Sequence, residues 1–522
     1  MKKTINAIRN MAVIATVLFS AVSCLEKYPG SAIPVDKAMH SFSDAEQHLV
    51  GVYASLKSSA LYSGLLTILP DIQADLVNAV DGNANTYGNI YQWRILSNDP
   101  SVEAVYASLY SVIGNCNFYL DNVDNVRKSI SLDSELDALE DYTGQIYAIR
   151  ALCYSELIKC FCKAYDPATA KNERGVVLRT KYYEKEPVVR ASLYDSYDFV
   201  IKDLERAEAL LDEDYDEADY EFISLAAAQA IHARVALYMQ DWDAAIKYSS
   251  ILIDEKTTKD NIYSLSSGMI QGGVYGQTPY SQFDGLWYFD TGAEIIWKIG
   301  FTPTSLGGAL GTVFLNYTRD RVYFYPDFVP SQWVLDLYTQ NDTRKIAYFA
   351  DDEMTGISIG FAHGLKWPVL VKYFGNRTFT NNYNLFHYTM PKPLRLSEQY
   401  LIRAEAYCRS ESQKSFSKAS ADINALKSAR IAAGGNVNLT QDNWLDEISD
   451  ERVRELYMEG FRLHDLKRWG LGIKRENPNV TGIQKEGSDL NIDKNNPLFV
   501  WPIPQHELES PGANIEPNDS NK

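Results

Sequence analysis

Apolar residues recur at helical spacing along most of the chain. In Glu451–Gly470, positions Val453, Leu456, Tyr457, Gly460, Phe461 and His464 fall at i, i+3, i+4, i+7, i+8 and i+11. That pattern predicts one long amphipathic helix with His464 on its core face. Charges on its rim offer i,i+3 pairs, Arg452–Glu455, Glu459–Arg462 and Asp465–Arg468, each worth tenths of a kcal/mol. Gly460 costs about 1 kcal/mol inside a helix, so its place on the packed face predicts that another segment approaches closely there.

The same periodicity predicts further helices. Ser43-Asp44-Ala45-Glu46 reads as a capping box opening a helix through Leu49, Val50, Tyr53 and Leu56. Pro100-Ser101 starts a helix carrying Val105, Leu109, Ile113, Cys116, Leu120 and Val123, and Leu136–Lys163 and Leu193–Leu211 follow. Phe222–Asp254 reads as a helical hairpin whose second arm, from Asp241 to Ile246, is typical of a tetratricopeptide unit; Leu394–Arg409 and Phe416–Arg430 form another pair. Ala226, Ala230, Ala233, Ala404 and Ala406 let neighbouring helices approach.

Two regions break the pattern. Leu61–Asn98 is mixed, with a polar turn at Asp81–Asn85 and then Tyr87, Tyr91 and Trp93. Asn261–Phe386 is rich in Gly, Pro, Ser, Thr and aromatics, with short β-like runs at Glu294–Ile299 and Val369–Phe374. The chain from Asn477 onward reads as mostly irregular. The expected fold is mostly α: a tetratricopeptide-like scaffold of helical hairpins, about 40–255 and 390–470, under a loop-rich capping lobe with a few short strands, about 261–386.

The N-terminus changes the picture from a plain helical protein to an exported one. Lys2, Lys3 and Arg9 precede an apolar run, Met11–Val22, too short to span a bilayer. Ala21-Val22-Ser23-Cys24 resembles a bacterial lipobox, with Ala21 where leucine is usual. Residues 1–23 are thus expected to be a lipoprotein signal peptide and Cys24 the acylated residue, its chains holding the protein on a membrane. Residues 24–522 are expected to form a single composite domain. The formal charge of −18 becomes about −21 without the three N-terminal cations, which argues against nucleic acid and anionic lipid surfaces as partners. Besides Cys24 there are Cys116, Cys153, Cys160, Cys162 and Cys408. Their odd number and their spacing make no disulfide framework, so they read as buried free thiols.

The stretch E-R-V-R-E-L-Y-M-E-G-F-R-L-H-D-L-K-R-W-G resembles the signature helix of the SusD/RagB family of surface nutrient-binding lipoproteins, matching at Glu451, Arg452, Glu455, Leu456, Glu459, Gly460, Arg462, Asp465, Leu466, Arg468, Trp469 and Gly470. Arg150-Ala151-Leu152-Cys153-Tyr154, Asn341-Asp342-Thr343-Arg344, the run Leu394 to Ala406, and Trp501-Pro502-Ile503-Pro504 are similar to further motifs of that family, in its order. The resemblance implies a role as a lid on a TonB-dependent outer-membrane transporter of the SusC type, at the cell surface, with an oligosaccharide or polysaccharide as ligand. Arg395, Glu398, Glu405 and Arg452 read as structural ion pairs.

No metal, phosphate-loop or nucleophile motif stands out, and no catalytic residue, metal ligand or cofactor is expected; Gly307–Gly311 lacks the Lys-Ser/Thr that would follow a phosphate loop. With 68 acidic residues, a pair of carboxylates proves nothing about glycoside hydrolysis. Peptide cargo on the same fold, and a helical glycoside hydrolase or lyase, remain alternatives. The 35 tyrosines and 9 tryptophans suit sugar stacking. Ligand contacts are therefore expected from Asp81, Asn83 and Asn85, which can bind hydroxyls, with Tyr87, Tyr91 and Trp93 beside them. Tyr275, Tyr280, Trp287 and Tyr288 are expected from the insertion, with Trp287 as its foremost platform.

Overall fold

Ser41, not Ser43, opens the first helix, α1 (Phe42–Leu56): its hydroxyl accepts from Asp44 N, and the Asp44 carboxylate accepts from Ser41 N at 2.9 Å. The computed structural model describes residues 38–81, 86–183, 188–269, 280–320, 323–359, 366–432, 434–480, 482–483 and 485–522. The signal segment, Cys24, Asn83, Asn85 and Tyr275 lie outside them.

After α2 (Leu65–Gln73) come the long helices α3 (Pro100–Ser129) and α4 (Asp133–Phe161), then α5 (Leu193–Leu210). Asp99 caps α3, accepting from Ser101 N and Val102 N, with Pro100 at the first turn where no N–H is needed. The expected hairpin is α6 (Leu225–Tyr238) and α7 (Trp242–Ser250), the latter running into a π-helical stretch, Ile251–Lys259. A short helix α8 (Gln282–Tyr288) lies in the capping lobe, and α9 (Leu396–Arg409) packs with α10 (Phe416–Arg430) and α7. The alanines at 226, 230, 233, 404 and 406 are all fully buried where these helices meet. The lobe is held by two-stranded pieces: Val77–Ala79 pairs antiparallel with Phe328–Pro330, and Ile295–Trp297 with Leu394–Arg395. The architecture is the helical scaffold with an irregular, strand-poor lobe that the periodicity anticipates.

The signature stretch is not one helix. It breaks into α11 (Trp444–Leu456) and α12 (Arg462–Trp469), with Met458 at φ 58° and Gly460 at φ 87° between them. The turn wraps around the buried Asp71 carboxylate, which accepts from Gly460 N and Arg462 N, both at 2.9 Å. Close approach at Gly460 is real: a Cβ there would lie 3.0 Å from the carbonyl oxygens of Leu66 and Thr67. Of the three expected i,i+3 pairs, Asp465–Arg468 forms at 2.9 Å. Arg452 reaches Asp465 instead, Arg462 grips Asp75, and Glu459 takes Lys372 and Arg395.

Those long reaches belong to a buried ionic network. Glu455 accepts from Arg344 at 3.1 Å, Arg395 at 2.8 Å and Arg430 at 2.9 and 3.0 Å. Arg395 and Arg430 also share Glu294, while Arg344 binds Asp342 and Glu451. A second cluster centres on Glu405, gripped by Arg468 at 2.5 and 2.7 Å and by the Trp469 indole N–H at 2.9 Å. Arg234 holds Glu398 in the same manner. Arg395, Glu398, Glu405 and Arg452 are all buried in such pairs, as structural residues should be.

Arg468, with Arg409 and Arg452 adding to its pull, overcomes the cost of burial and holds the Glu405 carboxyl down at about 2. Between that value and the ordinary 4.5 the folded chain binds fewer protons than the unfolded one, so stability rises with pH across this window. The Glu405 contribution is complete above the upper value and is lost as pH falls through the lower. Glu405→Gln is expected to cost about 3 kcal/mol near neutrality. The melting-temperature gap to wild type should then narrow as pH falls from 4.5 toward about 2. A gap constant across that range would show that the carboxylate charge is not what Arg468 holds.

Candidate functional site

At one end of the Val77–Ala79/Phe328–Pro330 ribbon lies an open groove of about 580 Å³. Ser59, Ser63 and Gly64 form one wall, Gly308, Thr312 and Asn316 the opposite one, and Tyr87, Tyr325 and Asp327 line the ribbon side. The walls are locked by the Gly308 N–H, which donates to Ser63 Oγ at 2.8 Å. A Cβ at Gly308 would lie 2.4 Å from the Ser63 carbonyl oxygen, so only glycine lets the two backbones meet.

Asp327 is set by its backbone: its N–H donates to Val313 O at 2.8 Å, and its carbonyl accepts from Val80 N at 2.9 Å. The residue is 9 % exposed, and among the described residues its Oδ1 has no hydrogen-bond partner. Burial raises its pKa, with the Thr86 hydroxyl and Lys485 pulling the other way. Tyr87, half-buried, stands at φ 55° ahead of the short helix Gly88–Tyr91, and burial raises its phenol pKa, so the hydroxyl stays a neutral donor. A buried carboxylate oxygen lacking a donor, two tyrosines and several hydroxyls suit a ligand with an apolar face and many O–H donors.

The other residues expected at a site are scattered. Asp81 is exposed beyond the ribbon, its N–H on Gly482 O at 2.7 Å, and does not line the groove. Tyr91 and Trp93 are core residues: Arg475 lies 4.0 Å over the Tyr91 ring, and the Trp93 indole N–H donates to Gln73 O at 2.7 Å. Tyr280 is exposed against Phe289, and Tyr288 is half-buried under the Arg377 guanidinium at 3.7 Å; neither lines the groove. Trp287 is a correction. It is 3 % exposed, on the inner face of α8, and its ring receives Lys372 at 4.1 Å, Lys392 at 4.8 Å and Arg395 at 5.5 Å. It packs over these cations, and the cavity it lines, about 40 Å³, is too small for a sugar ring. Ser59, Ser63, Asn316, Tyr325 and Asp327 are missed by sequence reasoning; the aromatic run Tyr323-Phe324-Tyr325 ahead of Pro326-Asp327 is the one local signal.

Among the described residues no cluster of His, Cys, Asp and Glu could hold a metal ion. The five described cysteines are free and buried, and burial pushes Cys116, Cys160 and Cys408 up to about 12, away from thiolate chemistry.

Trp287→Ala is expected to destabilise the protein by about 3–5 kcal/mol, read as a fall in melting temperature, while the folded fraction binds ligand as wild type does. Lost binding at an unchanged melting temperature would return Trp287 to the ligand.

Residues 25–237 match a family model described as "Starch-binding associating with outer membrane", and residues 366–518 match the model of the SusD family, SusD_RagB. The chain is 26% identical to the SusD-like protein P25 of Formosa agariphila, over 89% of this chain and 90% of that protein. It is 22% identical to the SusD-like protein P2 of the same organism, over 96% and 97%. Among solved structures, a SusD superfamily protein of Bacteroides thetaiotaomicron superposes with a TM-score of 0.75 at 22% identity, over 92% of this chain and 99% of that one. A putative sugar binding protein of Bacteroides vulgatus gives 0.72 at 23%, over 93% and 100%. Both ends of the chain thus match models of SusD-like proteins, its full-length curated relatives are SusD-like proteins, and its fold is that of SusD superfamily structures.

Proposed function

We propose that the protein is a glycan-binding lipoprotein of the outer-membrane surface that captures oligosaccharide in the Tyr87–Tyr325–Asp327 groove and passes it to a TonB-dependent transporter of the SusC type. In this reading residues 1–23 are removed, Cys24 carries the acyl chains, and the rest acts as one composite domain without catalysis. The observation that carries it is the groove itself. Tyrosine rings stack on the C–H faces of sugars, and among the described residues the Asp327 Oδ1 atom has no donor, which a sugar hydroxyl supplies. Support also comes from the starch-binding description of the matched family and from the sugar-binding neighbour. No described helix is long and apolar enough to cross a membrane.

Screening the soluble protein against a glycan array beside a peptide pool, with reducing ends monitored, separates the glycan reading from peptide capture and from hydrolysis. With a bound oligosaccharide in hand, Tyr87→Ala should weaken binding at least tenfold, about 1.4 kcal/mol, at a nearly unchanged melting temperature. Unaltered affinity would remove the groove from the function. In cells lacking the transporter partner, Cys24→Ala should move the protein from the membrane to the soluble fraction. Continued sedimentation with membranes would overturn acyl anchoring at this residue.

A further inference from the structure

The ribbon that ends in the groove has a second cavity at its other end, about 560 Å³ in volume. Asn78, paired across the ribbon with Val329, lines it. The residue is 3 % exposed, yet among the described residues no hydrogen bond reaches its carboxamide. The amide lines the cavity, where a ligand's donors and acceptors can reach it. Two tryptophans frame it. The Trp333 indole N–H is tied to Asp75 O at 2.7 Å and that of Trp367 to Pro330 O at 2.8 Å, so both polar edges are satisfied by backbone. Both residues line the cavity. Arg462 holds Asp75 through two bonds of 2.9 Å and lies 5.3 Å from the centre of the Trp333 ring, fixing that wall. The lining carboxylates Asp75, Asp336 and Glu476 are balanced by Arg462, Lys474 and Arg475.

We propose that this cavity is a second carbohydrate subsite, taking a neutral sugar ring against Trp333 with its hydroxyls on the Asn78 carboxamide. The balanced charge disfavours sulfated or uronate units, and fixed indoles beside an unpaired amide match a ring with apolar faces and polar edges. Asp327 in the first groove and Ser331 in the second cavity are four residues apart, at most about 13 Å of extended chain. The two sites are therefore within reach of one short oligosaccharide.

The proposal rests on the glycan reading above, and the test separates the two. The probes are neutral malto-, xylo- and manno-oligosaccharides, from disaccharides to hexasaccharides, titrated calorimetrically into the full soluble chain. Variants are Tyr87→Ala, to weaken the first groove, and Asn78→Ala or Trp333→Phe added to that background, each checked for an unchanged melting temperature. Should Asn78→Ala lower it, Trp333→Phe carries the test. Tyr87→Ala should leave weakened but measurable binding, and either addition should lower that residual affinity at least tenfold. Residual binding that neither addition alters, or none left after Tyr87→Ala alone, overturns the second subsite. Wild type that binds none of the probes, when the array also shows no glycan, overturns the glycan reading itself.

Discussion

Three guanidinium groups on one carboxylate hold the two halves of this molecule together. Glu455, at the end of α11, is buried with Arg344 from the capping lobe, Arg395 from the entrance to α9 and Arg430 from the end of α10. A charge in such a place is tolerable only when its partners saturate it, because removing one leaves the others uncompensated in a low-dielectric interior. The network therefore dictates geometry. Glu294 meets Arg395 and Arg430 where the strand that follows it, Ile295–Trp297, lies beside Leu394–Arg395. Trp287 then closes over Arg395, and α8 is thereby fixed to the scaffold.

This division of labour explains how an irregular lobe can carry a shaped groove. Its own strands are two or three residues long and could not stand alone. Buried ion pairs, glycine-permitted backbone contacts and the signature turn pin it to rigid helices, and the loops between those anchor points are left to meet ligand.

Sequence periodicity makes the helices legible because each buries one stripe, and the stripe is written locally. It misleads at Glu451–Gly470, where the apolar spacing runs on through Met458 and Gly460 although the backbone turns. What breaks the helix is a carboxylate from Asp71, some four hundred residues away in the chain. Trp287 fails for the same reason. A tryptophan among Gly, Pro and aromatics looks like a surface platform, and the lysines and arginine that draw it inward come from 372, 392 and 395. The groove is legible only at Tyr87, beside a polar turn. Asp327 and Ser63 are ordinary residues in sequence, and only the meeting of distant loops makes them neighbours.

Near the far end of the chain, the fully buried Trp501 donates its indole N–H to the side chain of Gln73 at 2.7 Å, across 428 residues. The same Gln73 donates to Leu498 O at 2.9 Å, and Trp501 N bonds Cys160 O at 2.9 Å. Closing so long a loop adds little to its entropic cost, which grows only with the logarithm of length. Its effect is on timing. A chain folding from its N-terminus can build its early helices, yet α2 and α4 keep unfilled seats until the stretch near 501 is in place. Folding is thus completed only when the stretch near 501 joins the scaffold, and until then the apolar seats on α2 and α4 stay open to water.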